Sequence, residues 1–334
     1  MAIEMSKSSL LRSTLFLAAT TLATGFAAIG NADATEIDIP TFTPASYAAI
    51  LDGSYTSSKD TISGKLTLPA NSGSTQVPAV ILLHGSGGVR DEIELTVAKA
   101  LNDAGIATLV VDSFSGRGLS STGKDQGKLT MAASVIDGLQ ALKALKSHPG
   151  IDPNRIGVTG FSRGGVAALF AGQKPLADAV LTDGSTFAAL APVYPGCATQ
   201  WDKVQPVSAQ MHFFLGEKDD LTPATRCVDY AAKIKAAGGK ADTTIYPGAS
   251  HQFLIAKQSK VSGAANFADC SMGIRDNGTT YHSATGTDDS SGWVSFVRGV
   301  FKNCGKKGFT RGSSEDVRKR AIEDITSFFA RSLG

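Results

Sequence analysis

The chain has 334 residues, 42% of them hydrophobic and 19% charged, and its formal net charge at pH 7 is +2. That length accommodates one large α/β domain or two small ones. A charge so near zero excludes an electrostatic case for nucleic acid or for a strongly anionic membrane surface as partner.

Residues 1–34 read as an export signal. Lys7 and Arg12 give a basic start, residues 15–30 are apolar and small, and Ala32-Asp33-Ala34 fits a small-x-small cleavage site. The stretch is short for a spanning helix, and it holds no cysteine for lipid attachment. The expectation is a signal peptide over 1–34 and a single domain over 35–334, in the periplasm or outside the cell, with no stable membrane anchor. The four cysteines, Cys197, Cys227, Cys270 and Cys304, all lie in the exported part. An even number there predicts two disulfides, and proximity along the chain favours Cys197–Cys227 and Cys270–Cys304 among the three possible pairings. No C-x-x-C pair or His/Cys cluster supports a metal site, and no cofactor is implied.

Residues 35–49 carry few apolar positions in any period, which predicts a leader along the surface. Residues 51–69 alternate around Gly53 and Gly64 and predict a β-hairpin that opens the sheet; residues 71–78 read as a polar turn. Residues 79–83 form a continuous apolar strand of the kind buried on both faces of a parallel sheet. It ends in His84-Gly85-Ser86-Gly87-Gly88, a glycine cluster that turns backbone N–H groups into a cleft, as an oxyanion hole requires. His84 itself reads as a structural loop residue.

Ile93, Val97, Leu101 and Ala104 recur at helical spacing, and Gly105 stops the run. Residues 107–111 make another buried strand, which leads to Arg117. That arginine either reaches a substrate carboxylate or pins its loop by pairing with an acid such as Asp112. A second helical run starts at Thr130 and stops at His148-Pro149-Gly150.

Residues 155–170 read R-I-G-V-T-G-F-S-R-G-G-V-A-A-L-F, a short apolar strand, then Gly160-Phe161-Ser162-Arg163-Gly164, then a helix-like run. This is G-x-S-x-G in the strand–turn–helix setting that exposes a serine hydroxyl at a helix N-terminus. Further strands follow at 187–194, 211–215 and 241–246. The second of these runs into Glu217, Asp219 and Asp220, and the third into Pro247-Gly248-Ala249-Ser250-His251. The alternation of strands and helices predicts a parallel sheet covered on both faces. The last helix should begin at a capping box, Ser313 to Asp316. Residues 254–312 form a long polar insertion that Cys270–Cys304 would tie down. It holds one short helix near 293–301 and serves either as a flap bordering the site or as a surface excursion.

A hydrolase triad on this fold runs Ser, acid, His along the chain. His251 follows a strand directly, whereas His282 sits inside the polar insertion with no strand to aim it, so His251 is the expected base. Asp219 is the expected acid, with Asp220 the alternative. The backbone N–H groups of Arg163 and of the 85–87 loop, Ser86 above all, are the expected oxyanion donors.

The series H-G-S-G-G, D-S-F-S-G-R-G, H-P-G-I-D-P-N-R-I-G-V-T-G-F-S-R-G-G, Y-P-G-C, G-E-K-D-D-L-T-P and Y-P-G-A-S-H resembles the dienelactone hydrolase family of the α/β hydrolases. The likeness covers about residues 64–253 and resumes weakly in the final helix. It implies an α/β-hydrolase fold, a mostly parallel central sheet with helices on both faces and here a disulfide-tied excursion before the last helix. It also implies a triad of Ser162, Asp219 and His251. The enzymes that gave the family its name use cysteine where this chain has Ser162, which points to a serine carboxylesterase acting on small to medium acyl esters. The same triad also serves peptidases, amidases and acyltransferases, and a non-catalytic binding protein on this fold is the reading from another class.

Overall fold

The computed structural model describes residues 34–70 and 75–334. The export signal read in 1–34 therefore falls, apart from Ala34, outside the described residues, as do residues 71–74 of the polar turn read at 71–78. Strand β1 (Ala34–Phe42) pairs antiparallel with β2 (Lys59–Thr67), from Ala34↔Thr67 to Phe42↔Lys59. Between them helix α1 (Tyr47–Leu51) starts at Ser46, whose hydroxyl accepts the Ala49 N–H, and it buries Tyr47 and Ile50. This corrects the surface leader expected for 35–49. Ile37 and Ile39 alternate with Glu36, Asp38 and Pro40 over a run too short to stand out as a period, yet Ile39 is fully buried. The hairpin is formed by β1 and β2, and Gly64 is no turn. It lies inside β2, where a Cβ would press on the side chains of Leu109 and Ile39.

The chain continues through β3 (Val77–Leu83), β4 (Ala107–Asp112), β5 (Ile151–Phe161), β6 (Ala189–Val193), β7 (Thr199–Trp201), β8 (Gln210–Gly216) and β9 (Lys240–Tyr246). The main sheet has the order β1-β2-β4-β3-β5-β6-β8-β9, and all neighbours from β4 to β9 run parallel. The carboxyl ends of β3, β5 and β8 therefore meet at one edge, where open α/β sheets bind their ligands.

Residues 254–312 are not a long irregular loop, and this too corrects the sequence reading. With their flanks they form β10 (His251–Ala256), β11 (Ser259–Asn266), β12 (Met272–Ile274), β13 (Thr280–His282), α7 (Trp293–Cys304) and β14 (Lys306–Ser313). Two small sheets result, ordered β10-β14-β11 and β13-β12-β7. The strands are short and rich in Ser, Gly, Ala and Lys, so backbone pairing rather than an apolar period holds them. Both expected disulfides are present, Cys197–Cys227 and Cys270–Cys304, with sequence separations of 30 and 34. In a chain-entropy account each stabilises the fold by about 3–4 kcal/mol. Such cross-links persist in oxidising compartments. Among the described residues no helix is long and apolar enough to cross a membrane.

Helices α3 (Met131–Lys146), α4 (Arg163–Ala171), α5 (Lys174–Val180) and α6 (Ala224–Ala236) share one core with the sheet; α2 (Thr96–Asp103) and α8 (Glu315–Leu333) pack into the core of the other face. The cap of α8 is Ser314, which accepts the Val317 N–H, not Ser313. The Ser313 hydroxyl instead donates to the Phe253 carbonyl at 2.7 Å, because Ser313 still belongs to β14.

Candidate active site

Strand β5 ends at Phe161, α4 begins at Arg163, and Ser162 between them holds φ 56° and ψ −110°, a sparsely populated conformation for a residue with a Cβ. Two glycines permit the turn. A Cβ on Gly160 would overlap the Gly164 carbonyl, and one on Gly164 would overlap the Leu83 carbonyl. The first intrahelical bond runs from Val166 N–H to the Ser162 carbonyl. The N–H groups of residues 163–165 thus have no acceptor within the helix, and they give its N-terminus partial positive charge.

The Ser162 hydroxyl lies 3.0 Å from His251 Nε2, and His251 Nδ1 lies 2.8 Å from Asp219 Oδ2. His251 and the carboxyl of Asp219 are buried. Asp219 Oδ1 accepts the backbone N–H groups of Leu221 and Thr222 at 2.9 and 2.7 Å, and the Thr222 hydroxyl donates to Oδ2 at 2.8 Å. The turn's N–H groups thus hold Oδ1, while Oδ2 takes the Thr222 hydroxyl and faces the imidazole. Asp220, the alternative acid, turns away, and its carboxylate accepts the N–H and hydroxyl of Thr310 on β14. Tyr194, at φ 38°, sets its ring edge-on to His251 at 4.9 Å.

The loop after β3 faces Ser162. A Cβ on Gly85 would press on the Phe161 carbonyl oxygen at 3.2 Å and stand in ordinary contact, 3.6 Å, with Ser162 Cβ, so the loop passes close over the serine. His84 props the loop from beneath. Its Nδ1 donates to the Gly85 carbonyl at 2.7 Å and its Nε2 accepts the Ser113 N–H at 3.1 Å. Burial pushes its pKa below the ordinary histidine value and favours this neutral tautomer. Glu94 accepts the Arg90 N–H at 2.8 Å on the same loop, and burial raises its pKa to about 7.

Gln126 joins several of these parts. It donates to Ser86 Oγ at 3.0 Å and accepts from Arg163 Nη1 at 2.9 Å. The Arg163 guanidinium also donates to Ser134 Oγ and to the carbonyls of Leu129 and Thr130. These acceptors are all neutral, and burial pulls the arginine's pKa down to about 10.

A cavity of about 340 Å³ opens over Ser162 and His251 and is bordered by Ser86 and Arg163. Arg90, Lys124 and Arg311 also line it, whereas among the described residues no Asp or Glu does. The resulting positive potential favours an oxygen that becomes anionic there.

Arg117 is not at the cavity, and this corrects its reading as a substrate-binding residue. It is buried, with Nη1 and Nη2 paired to the two oxygens of Asp137 at 2.8 and 2.9 Å and Nε 3.1 Å from Asp60. Asp112, the partner suggested by proximity in sequence, instead accepts the Phe114 and Ser115 N–H groups.

The sequence profile of the dienelactone hydrolase family matches residues 62–272. The chain belongs to the dienelactone hydrolase family. The chain is 32% identical over 100 residues to an uncharacterized 31.7 kDa protein of Escherichia coli, a match covering 30% of this chain and 34% of that protein. It thus spans about a third of that relative's length. It is 29% identical over 196 residues to Protein usf of Aquifex pyrophilus, covering 55% of this chain and 80% of the relative. Among solved structures, a dienelactone hydrolase-like promiscuous phosphotriesterase from metagenomic libraries superposes with a TM-score of 0.52 at 15% identity. That match covers 90% of this chain and 99% of the other and shows the shared fold.

The parts that sequence reasoning missed are Thr222, Tyr194, Phe309 and Gln126. Thr222 had a signal, because a hydroxyl three residues after an acid is placed to close a turn onto it. Gln126 and Phe309 had none, since each meets the site only through long-range packing.

Proposed function

We propose that this member of the family is a serine esterase, exported to the periplasm or beyond, that cleaves small-molecule carboxylic esters of small to medium acyl groups through an acyl-enzyme. The observation that carries this reading is the unbroken hydrogen-bond chain Asp219–His251–Ser162, at 2.8 and 3.0 Å, on the floor of a cavity. Ser162 Oγ attacks the acyl carbonyl while His251 Nε2 takes its proton. Asp219 holds the Nδ1–H tautomer and stabilises the imidazolium. The backbone N–H groups of Arg163 and Ser86 receive the oxyanion, and stabilisation of that kind is commonly the largest single contribution to the rate. His251 returns the proton to the departing alcohol oxygen. A water, deprotonated by His251, then attacks the acyl-serine; the bond to Ser162 Oγ breaks, His251 returns the proton to that oxygen, and the acid leaves.

The test is initial-rate hydrolysis of p-nitrophenyl esters from acetate to palmitate. Ser162→Ala is expected to lower kcat on the order of 10⁶-fold, and Asp219→Asn on the order of 10⁴-fold. Asp220→Asn should stay within a few-fold of the parent, because that carboxylate serves β14. Equal rates for the parent and Ser162→Ala across the whole series would sink the esterase reading and turn attention to amides or to binding.

A further inference from the structure

The cavity has two walls of different origin. The inner wall, with Met131, Val166 and Phe170, comes from α3 and α4. The outer wall, with Phe267, Met272, Val297 and Val300, comes from the segment between β10 and β14. Both α7 and β14 lie beyond residue 272, where the family match ends.

We propose that this outer wall is the specificity-determining half of the site, and that it selects esters with a bulky apolar acyl group, a medium-length chain or a single ring, over acetyl esters. The inference rests on the reading of Ser162 as the residue that is acylated. The acyl group occupies the site through both half-reactions, whereas the alcohol leaves after the first, so the walls around Ser162 act on the acyl group longest.

The outer wall is built rather than incidental. Val297 and Val300 pack with Cys270 and Phe296 in a small core of their own, and the Cys270–Cys304 bond closes it. The Trp293 indole N–H donates at 3.0 Å to the carbonyl of Gln126, the residue whose side chain holds Ser86 and Arg163. Asn266 donates to the Asp220 carbonyl at 3.1 Å, and Asp220 in turn holds Thr310. The wall is therefore anchored both to the oxyanion side and to the acid loop.

Size gives the direction of selection. A cavity of about 340 Å³ is that of a small-ligand pocket. An acetyl group leaves most of it to water against valine, methionine and phenylalanine surface. Each further methylene moved from water into such surroundings is worth about fourfold in affinity.

The experiment compares kcat/KM for p-nitrophenyl octanoate and acetate, read as a ratio. In the parent the ratio should exceed about tenfold in favour of octanoate, below the full methylene gain because filling is imperfect. Ala264 and Ala265 line the cavity from the β11 side. Ala264→Phe grows a ring into the cavity and should lower the ratio about tenfold or more, since overpacked space rejects the added chain. Ala265→Leu should move it the same way and guards against one variant that does not fold. A parent ratio near one, or a ratio unchanged in both folded variants, overturns the inference. Ser162-dependent turnover without chain-length preference sinks this inference alone, whereas no Ser162-dependent turnover of any ester sinks the esterase reading beneath it.

Discussion

Phe309 stands edge-on to the imidazole of His251, with ring centroids 5.3 Å apart and planes at 90°. Tyr194 takes a similar position at 4.9 Å, so two aromatic edges confine the ring whose nitrogens face Ser162 and Asp219. Tyr194 comes from the end of a main-sheet strand, but Phe309 comes from β14, nearly sixty residues after His251. Phe309→Leu keeps the apolar volume and removes the edge. The expected result is a fall in kcat of about 10- to 100-fold from a loosened imidazole, with little change in thermal stability. Steady-state kinetics beside a thermal melt checks it, and an unchanged kcat would show that Asp219 and Tyr194 suffice to aim the ring.

Arg117 and Asp137 form a two-pronged ion pair in which both side chains are almost wholly removed from water. Burial works against the guanidinium charge, yet Asp137 and Asp60 hold its pKa above the ordinary arginine value. Thr41 adds a hydrogen bond to Asp137 at 2.7 Å, which ties β1 to α3. Removing one member leaves a buried charge unpaired, so Arg117→Met is expected to destabilise the protein by about 3–5 kcal/mol. Urea unfolding measures this. The octanoate-to-acetate ratio should not move, whereas a residue that touched substrate would shift it.

Glu94 produces a pH dependence of stability with a definite sign. Its pKa rises from the ordinary 4.5 to about 7 through burial, ahead of the opposing hydrogen bonds from Arg90 and its neighbours. The folded state therefore holds the proton more tightly than the unfolded chain. The resulting stabilisation is complete below about pH 4.5 and is lost as pH rises through about 7, a change on the order of 3 kcal/mol. Glu94→Gln should flatten this part of the curve, measured as urea midpoints at pH 5 and pH 8. An unchanged slope in the variant would assign the dependence to other groups.

Features that rest on local sterics and on long apolar runs are legible in the residues alone. The stretches 79–83 and 156–161, before His84 and Ser162, are buried on both faces, so apart from Thr159 they hold only apolar residues and glycine and are legible without a partner. Gly160 and Gly164 announce the turn at Ser162 because nothing larger fits there. The four cysteines suggested their pairing because each bond closes a short span of chain.

Packing between distant segments settles where side chains with equal local claims point. Asp219 and Asp220 are adjacent and alike, but the turn closed by Thr222 sends one to His251 and the other to Thr310. Arg117 lies within reach of Asp112 by sequence and yet pairs with Asp137 on α3, because the packing of that helix against β1 brings the buried carboxylate to it. The strands between His251 and α8 are short and polar on their surface, and they gain order from backbone pairing, a disulfide and the tryptophan bond to Gln126. A period reports burial only when the buried face is long and apolar. Contacts between segments far apart in the chain leave no such mark, and it is these that build the outer half of the cavity.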